Sequence, residues 1–362
     1  MPVRLVVVIA AVGLACLLSC VTEKPVPAPR VRVVPPPAPD HPRTWAEVPS
    51  FYGTRCPPPP FVLDEPLTKH VAGTAWTIKG STAVRQGRWT GPLTIGVLGA
   101  VKDAAADTKA NMIKAKSAFD KAKVDLILCN GDVAETAETH DVAKMLGDVF
   151  GDERPILVHS GNSEWTGGFT DAFVEAEKFH PSFFNLNFIR DLDLGGVHLL
   201  SLPGWSVKDF VKPGGCRYKT EDVDALRTLA DGISARGELA IISAHGPPRG
   251  PDKRSLDATH DFGNVGDQDL AKLLQDGAVK FGIFGHILES GGRATDDAKT
   301  HKQLTLPMKA ATAKLFVNVG SSSSVGIAML EKRTSRGMAA IVTFEDISSD
   351  PKAKVTFLSL RK

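Results

Sequence analysis

Four polar residues stand where chemistry needs them, each just beyond an apolar run: Asp132, Asn162, His245 and His286. Val124-Asp-Leu-Ile-Leu-Cys-Asn leads into Gly131-Asp132, and Pro155-Ile-Leu-Val leads towards Gly161-Asn162. Leu239-Ala-Ile-Ile-Ser leads into His245-Gly246, and Val279-Lys-Phe-Gly-Ile-Phe into Gly285-His286. One carboxylate, one amide oxygen and two imidazoles form a mixed oxygen and nitrogen donor set. It suits one divalent ion, Zn, Mn or Fe, without choosing among them. A single bound ion lowers the pKa of a coordinated water towards ~7, so hydrolysis on one metal is chemically open. Each residue alone also has a plainer role. Asp132 fits a turn or helix cap, Asn162 a left-handed turn, and the histidines satisfied core positions.

The four converge only if their runs are strands of one open α/β sheet system, where ligands bind beyond the carboxyl ends. Strand patterns fall at Leu93–Leu98, Val124–Cys129, Pro155–Val158, Val197–Leu202, Leu239–Ser243 and Val279–Phe284. Further strands are expected at Lys314–Val319, Val325–Leu330, Met338–Phe344 and Val355–Leu360. Helical patterns cover Thr108–Ala122, Val133–Phe150, Asp171–Phe179, Thr220–Arg236 and Asp267–Gln275, and Ala294–Ala313 reads as a surface excursion. Early strand–helix alternation followed by consecutive strands predicts mixed sheets with helices outside.

In order and strand context these motifs resemble the calcineurin-like metallophosphoesterases. That family runs Asp-x-His, Gly-Asp-x-x-Asp/Asn, Gly-Asn-His-Asp/Glu, a His after a strand, and Gly-His-x-His. Asn318-Val-Gly320-Ser321 resembles its closing turn. The resemblance implies an α/β sandwich of two mixed β-sheets flanked by helices. It also implies hydrolysis of a phosphoester by a metal-bound water. The departures are equally specific. Gly99-Ala100-Val101 stands where Asp-x-His belongs, Ser163 replaces the family's catalytic histidine, and Leu288 replaces the second histidine of the last motif. By resemblance, Asp132, Asn162, His245 and His286 are the complete ligand set of one metal, and the other metal's private ligands are gone. Two metals roughly 3.5–4 Å apart normally clamp both oxygens of a phosphoryl transfer. Serine carries no charge at neutral pH and is no substitute for histidine as proton donor. The alternative is therefore a catalytically dead pseudoenzyme that binds a ligand or partner. Three other features draw the eye. Lys102 lies just past the eroded motif, where its ammonium could fill vacated space. His159 is expected to point away from the site by strand alternation. Ser321 to Ser324 looks like a phosphate-gripping loop without a following lysine.

The chain's 362 residues, 43% hydrophobic and 23% charged, support a sizeable core, and a net charge of +2 gives no reason to expect nucleic acid. Met1 to Arg4 is a short basic start, Leu5 to Leu18 is almost wholly apolar, and Leu17-Leu18-Ser19-Cys20 resembles a bacterial lipobox. Residues 1–19 then read as an export signal and Cys20 as the lipidated residue. Val21, with no aspartate beside it, points towards the outer membrane. Residues 20–65 are proline-rich and read as an extended tether, with the catalytic-type domain over 66–362. Cys129 reads as an inert core thiol. Cys56 and Cys216 could pair in an oxidising compartment, or remain two free thiols.

Overall fold

The computed structural model describes residues 41–135 and 137–361. The expected signal peptide, Cys20 and the first half of the tether lie outside the described residues. The chain enters with α1 (Val48–Tyr52), then β1 (Val62–Val71), β2 (Thr74–Gly80) and β3 (Thr82–Arg85). Next come β4 (Leu93–Leu98), α2 (Ala106–Lys121), β5 (Leu126–Asn130), α3 (Thr139–Phe150), β6 (Ile156–His159), α4 (Thr166–Phe179) and β7 (Phe183–Asn185). Then follow β8 (Asp191–Asp193), β9 (Val197–Leu202), α5 (Thr220–Ala235), β10 (Leu239–Ala244), α6 (Gln268–Gln275) and β11 (Phe281–Phe284). The last elements are β12 (Arg293–Thr295), β13 (Leu315–Asn318), β14 (Ile327–Ala328), β15 (Thr334–Ser335), β16 (Met338–Glu345) and β17 (Lys352–Ser359).

These strands build two large mixed sheets. One has nine strands in the order β1-β2-β3-β8-β9-β10-β11-β13-β12, and the other six in the order β17-β16-β4-β5-β6-β7. Side-chain alternation along each strand explains how they stack, because successive residues face opposite sides. In β5, Leu126 and Leu128 face Ile241, Phe281 and Ile283 of the other sheet in one shared core. Ile127 and Cys129 turn the other way, against Met112, Leu146 and Phe173 of α2, α3 and α4. In β10, Ile241 joins the shared core while Ala240 and Ile242 pack with Leu226 of α5 and Leu270 of α6. The layers are therefore helix, sheet, sheet, helix, as expected.

Several boundaries differ from the sequence expectation. The expected edge of the tether at residue 65 falls inside β1. Val48, Tyr52, Phe61 and Leu63 form a buried cluster with Phe188, so apolar anchors seat this proline-rich stretch on the domain. The helix expected from Val133 starts only at Thr139. Residues 133 and 134 instead give their N–H groups to the Glu164 carboxylate, which holds them in a loop. The helix expected from Asp171 begins earlier, at Thr166. The strand expected at Val325–Leu330 is only the short β14–β15 ladder, and both residues of β14 are exposed. Residues 294–313 are no pure excursion, since Arg293–Thr295 pairs as the edge strand beside β13 with Ala294 buried.

Candidate metal centre

The strands β4, β5, β6 and β7 run parallel, as do β9, β10, β11 and β13. The carboxyl ends of β5, β6, β10 and β11 meet at one edge of the sandwich. Asn130, the last residue of β5, fastens that edge. Its amide donates to the Ser243 hydroxyl at 3.3 Å and to the Ile283 carbonyl at 3.0 Å, crossing from one sheet to the other. Sequence reasoning gave Asn130 no role. The available signal was a polar residue closing an apolar strand.

Backbone approach at this edge leaves no room for side chains at two positions. Gly131 has φ +68°, and a Cβ there would come within 2.1 Å of His245 Nδ1. A Cβ on Gly161 would lie 2.4 Å from Asp132 Oδ1. The glycines therefore let the loops carry Asp132 and Asn162 directly against His245.

Asp132, His245 and His286 each offer a ligand atom, and these atoms all lie within 4.8 Å of one another. Asn162 completes the group, its Oδ1 standing 3.0 Å from His245 Nε2. The neighbours orient these donors. His245 Nδ1 lies 3.2 Å from the Asn130 carbonyl, which accepts its proton and leaves Nε2 turned to Asn162 and Asp132. Asn162 Nδ2 donates to the Phe210 carbonyl at 2.5 Å, which settles the amide with its oxygen inward. Burial, then the neighbouring His245, pushes His286 down to about 3, so its imidazole is neutral and ligand-competent. Burial opposes charge on Asp132, yet Lys102, His245 and His286 together outweigh it and hold the carboxyl well below its usual range. Four converging donors, neutral or anionic, with their outer atoms tied to protein groups, fit a divalent ion.

The three positions where the family's motifs would carry further ligands offer no donor side chain. A Cβ on Gly99 would meet the Gly320 carbonyl oxygen at 2.4 Å, and Val101 and Leu288 are buried. Ser163 donates its backbone N–H to Asp132 Oδ1 at 3.3 Å. His159 is fully buried, with Nε2 3.0 Å from the Ser243 hydroxyl, and burial lowers it to about 3. The serine run is no phosphate loop. Ser321 donates to the Ala100 carbonyl, Ser322 to the Met338 carbonyl, and Ser323 to Asp103, so the hydroxyls bind the chain to itself.

Glu164 is a further site residue that the sequence did not single out. It is fully buried and accepts from Gly161 N at 2.9 Å, Ala134 N at 3.4 Å and Val133 N, tying the Asn162 loop to the Asp132 loop. Burial first, and Asp132 second, raise it to about 7. Its signal was an acid two residues after a ligand position. Cys56 and Cys216 are joined in a disulfide, and Cys129 is free and buried.

Among solved structures, the chain is similar to the TT1561 protein of Thermus thermophilus, at TM-score 0.46 and 13% identity over 75% of this chain and 100% of that one. It is also similar to GAP50, the anchor in the inner membrane complex of Plasmodium, at TM-score 0.49 and 13% identity over 75% and 86%. A dimetal phosphatase from Danio rerio matches at TM-score 0.44 and 11% identity over 75% and 100%. No curated protein sequence matches the chain. Residues 103–290, just over half of the chain, match the sequence profile of the calcineurin-like phosphoesterases, so the chain belongs to that family.

Proposed function

We propose that this protein is an envelope-anchored member of the family that holds one divalent ion and hydrolyses a phosphoester. The supporting observation is the convergence of Asp132, His245 and His286 within 4.8 Å, with the Asn162 oxygen beside them. These four residues would hold the ion, which when bound supplies Lewis-acid activation of water and of the phosphoryl group. The protein's own contribution is orientation: Asn130 and Phe210 aim the His245 and Asn162 donors, and Glu164 locks the two loops together. The Cys56–Cys216 bridge supports an oxidising compartment, in keeping with residues 1–20 read as a lipoprotein leader.

The replacement of histidine by Ser163 favours the rival reading, a module that binds a phosphorylated ligand or a partner without turnover. One assay separates the two. Metal content is measured, with hydrolysis of bis(p-nitrophenyl) phosphate under Mn or Zn. One ion per chain with turnover abolished by His286→Ala supports the enzyme. One ion without turnover under any metal supports the binding module. A protein that takes up no ion at all contradicts the enzyme.

A further inference from the structure

The carboxylate of Asp132 is shared between two different surroundings. Its Oδ1 faces the donor cluster, 3.4 Å from His245 Nε2, while Oδ2 lies 3.3 Å from the Lys102 ammonium. Lys102 also reaches Glu135 at 3.2 Å, and Glu135 pairs in turn with Lys212. The lysine is not a free surface side chain. It has φ +68°, an unusual backbone for a residue with a Cβ. Its N–H donates to the Val133 carbonyl at 2.9 Å, and its carbonyl accepts from Glu135 N at 2.8 Å. Both backbone groups are thereby strapped to the loop that carries Asp132. The side chain is only 20% exposed, so the charge is held largely out of solvent beside Asp132.

We propose that Lys102 is a built-in cation that takes the electrostatic place of a second metal. Its ammonium neutralises the outer oxygen of Asp132, limits the centre to one divalent ion, and offers positive charge to the oxyanion of a phosphoryl ligand. Two-metal sites place positive charge on both sides of a transferred phosphoryl group. Here one of those charges is an ammonium. An ammonium has three donors, and Asp132 and Glu135 take two of them among the described residues. Gly99, pressed against the Gly320 carbonyl, and the buried Val101 and Leu288 offer no donor side chain, which agrees with a centre in which no second ion is seated. The inference rests on the one-ion centre proposed above.

The test uses two probes with opposite expected signs: Mn²⁺ alone, and inorganic phosphate with Mn²⁺ saturating, both by titration calorimetry on the full chain. Lys102→Gln keeps hydrogen-bond donors for the two carboxylates and removes the charge. With a divalent ion and an ammonium about 6 Å apart, repulsion at bulk-water screening alone changes affinity about tenfold. The variant should therefore bind Mn²⁺ about tenfold more tightly and phosphate about tenfold more weakly, while Lys102→Arg stays near wild type. Should Lys102→Gln not fold, Glu135→Gln, at a 43% exposed side chain, must move both affinities the other way. Unchanged or weaker Mn²⁺ binding in Lys102→Gln, or two ions bound by the wild type, overturns the inference and leaves the proposed metal centre standing. A wild type that binds no ion overturns the centre itself, and this inference with it.

Discussion

Breaking the Cys56–Cys216 bridge tests both the stability of the sandwich and the way its site is supported. The bridge spans a sequence separation of 160 residues, enclosing all of β1 to β9. Chain-entropy reasoning assigns a loop of that length about 5 kcal/mol at 25 °C, and measured losses from removing native disulfides run at about 2–5 kcal/mol. For a domain of this size about 1 kcal/mol corresponds to ~2 °C in Tm, so Cys56→Ala with Cys216→Ala should melt about 4–10 °C below wild type. The effect reaches the site through the loop before Cys216. The Phe210 carbonyl accepts from the Asn162 amide, and Lys212 pairs with Glu135. Loosening that loop weakens one orienting hydrogen bond, worth ~1 kcal/mol net, or about fivefold in metal affinity. Thermal melts with and without reductant, together with Mn²⁺ titration of the double variant, read both effects. A double variant that melts within a degree of wild type refutes the stability argument. Unaltered Mn²⁺ affinity refutes the link from loop to site.

Three further outcomes are expected. Gly99→Asp, which restores a family ligand type, should cost about 1–3 kcal/mol in urea unfolding and bring no second ion, because its Cβ collides with the Gly320 carbonyl; a stable variant binding two ions would contradict this. His198 is buried, which opposes its charge, but Asp191, Asp193 and Glu238 around it raise it above its ordinary value. Its contribution is present in full below about pH 6.5 and lost as pH rises through the raised value, so the stability gap between wild type and His198→Gln should narrow from pH 6 to pH 9, and a constant gap would disprove it. Labelled palmitate should enter the wild-type protein in bacterial cells and be absent from Cys20→Ala; equal labelling of both would remove the lipoprotein reading.

The apolar strands, their order and the polar residue beyond each were legible in the chain because burial on both faces demands continuous apolar runs. Asp132, Asn162, His245 and His286 were named from those same runs and from resemblance to the family's motifs, and the fold brings their donor atoms close together. Gly99, Val101, Ser163 and Leu288 read as departures only by resemblance to the family's motifs, and noticing a missing donor type there needs no geometry. What the chain could not declare was anything set by partners distant in sequence. Asn130 reads as an ordinary strand end until Ser243 and Ile283 of the opposite sheet arrive beside it. Glu164 gains a role only when the Val133 and Gly161 N–H groups surround it, and that capture also stops the helix expected from Val133. The β1–β3 ribbon escaped notice because its strands are only partly buried and follow a proline-rich stretch. The pairing of Cys56 with Cys216, and of Lys102 with Asp132, depends on loops brought together by sheet stacking. Local pattern records which face of a strand is buried, and only the packed sheets decide which side chains then stand within bonding distance.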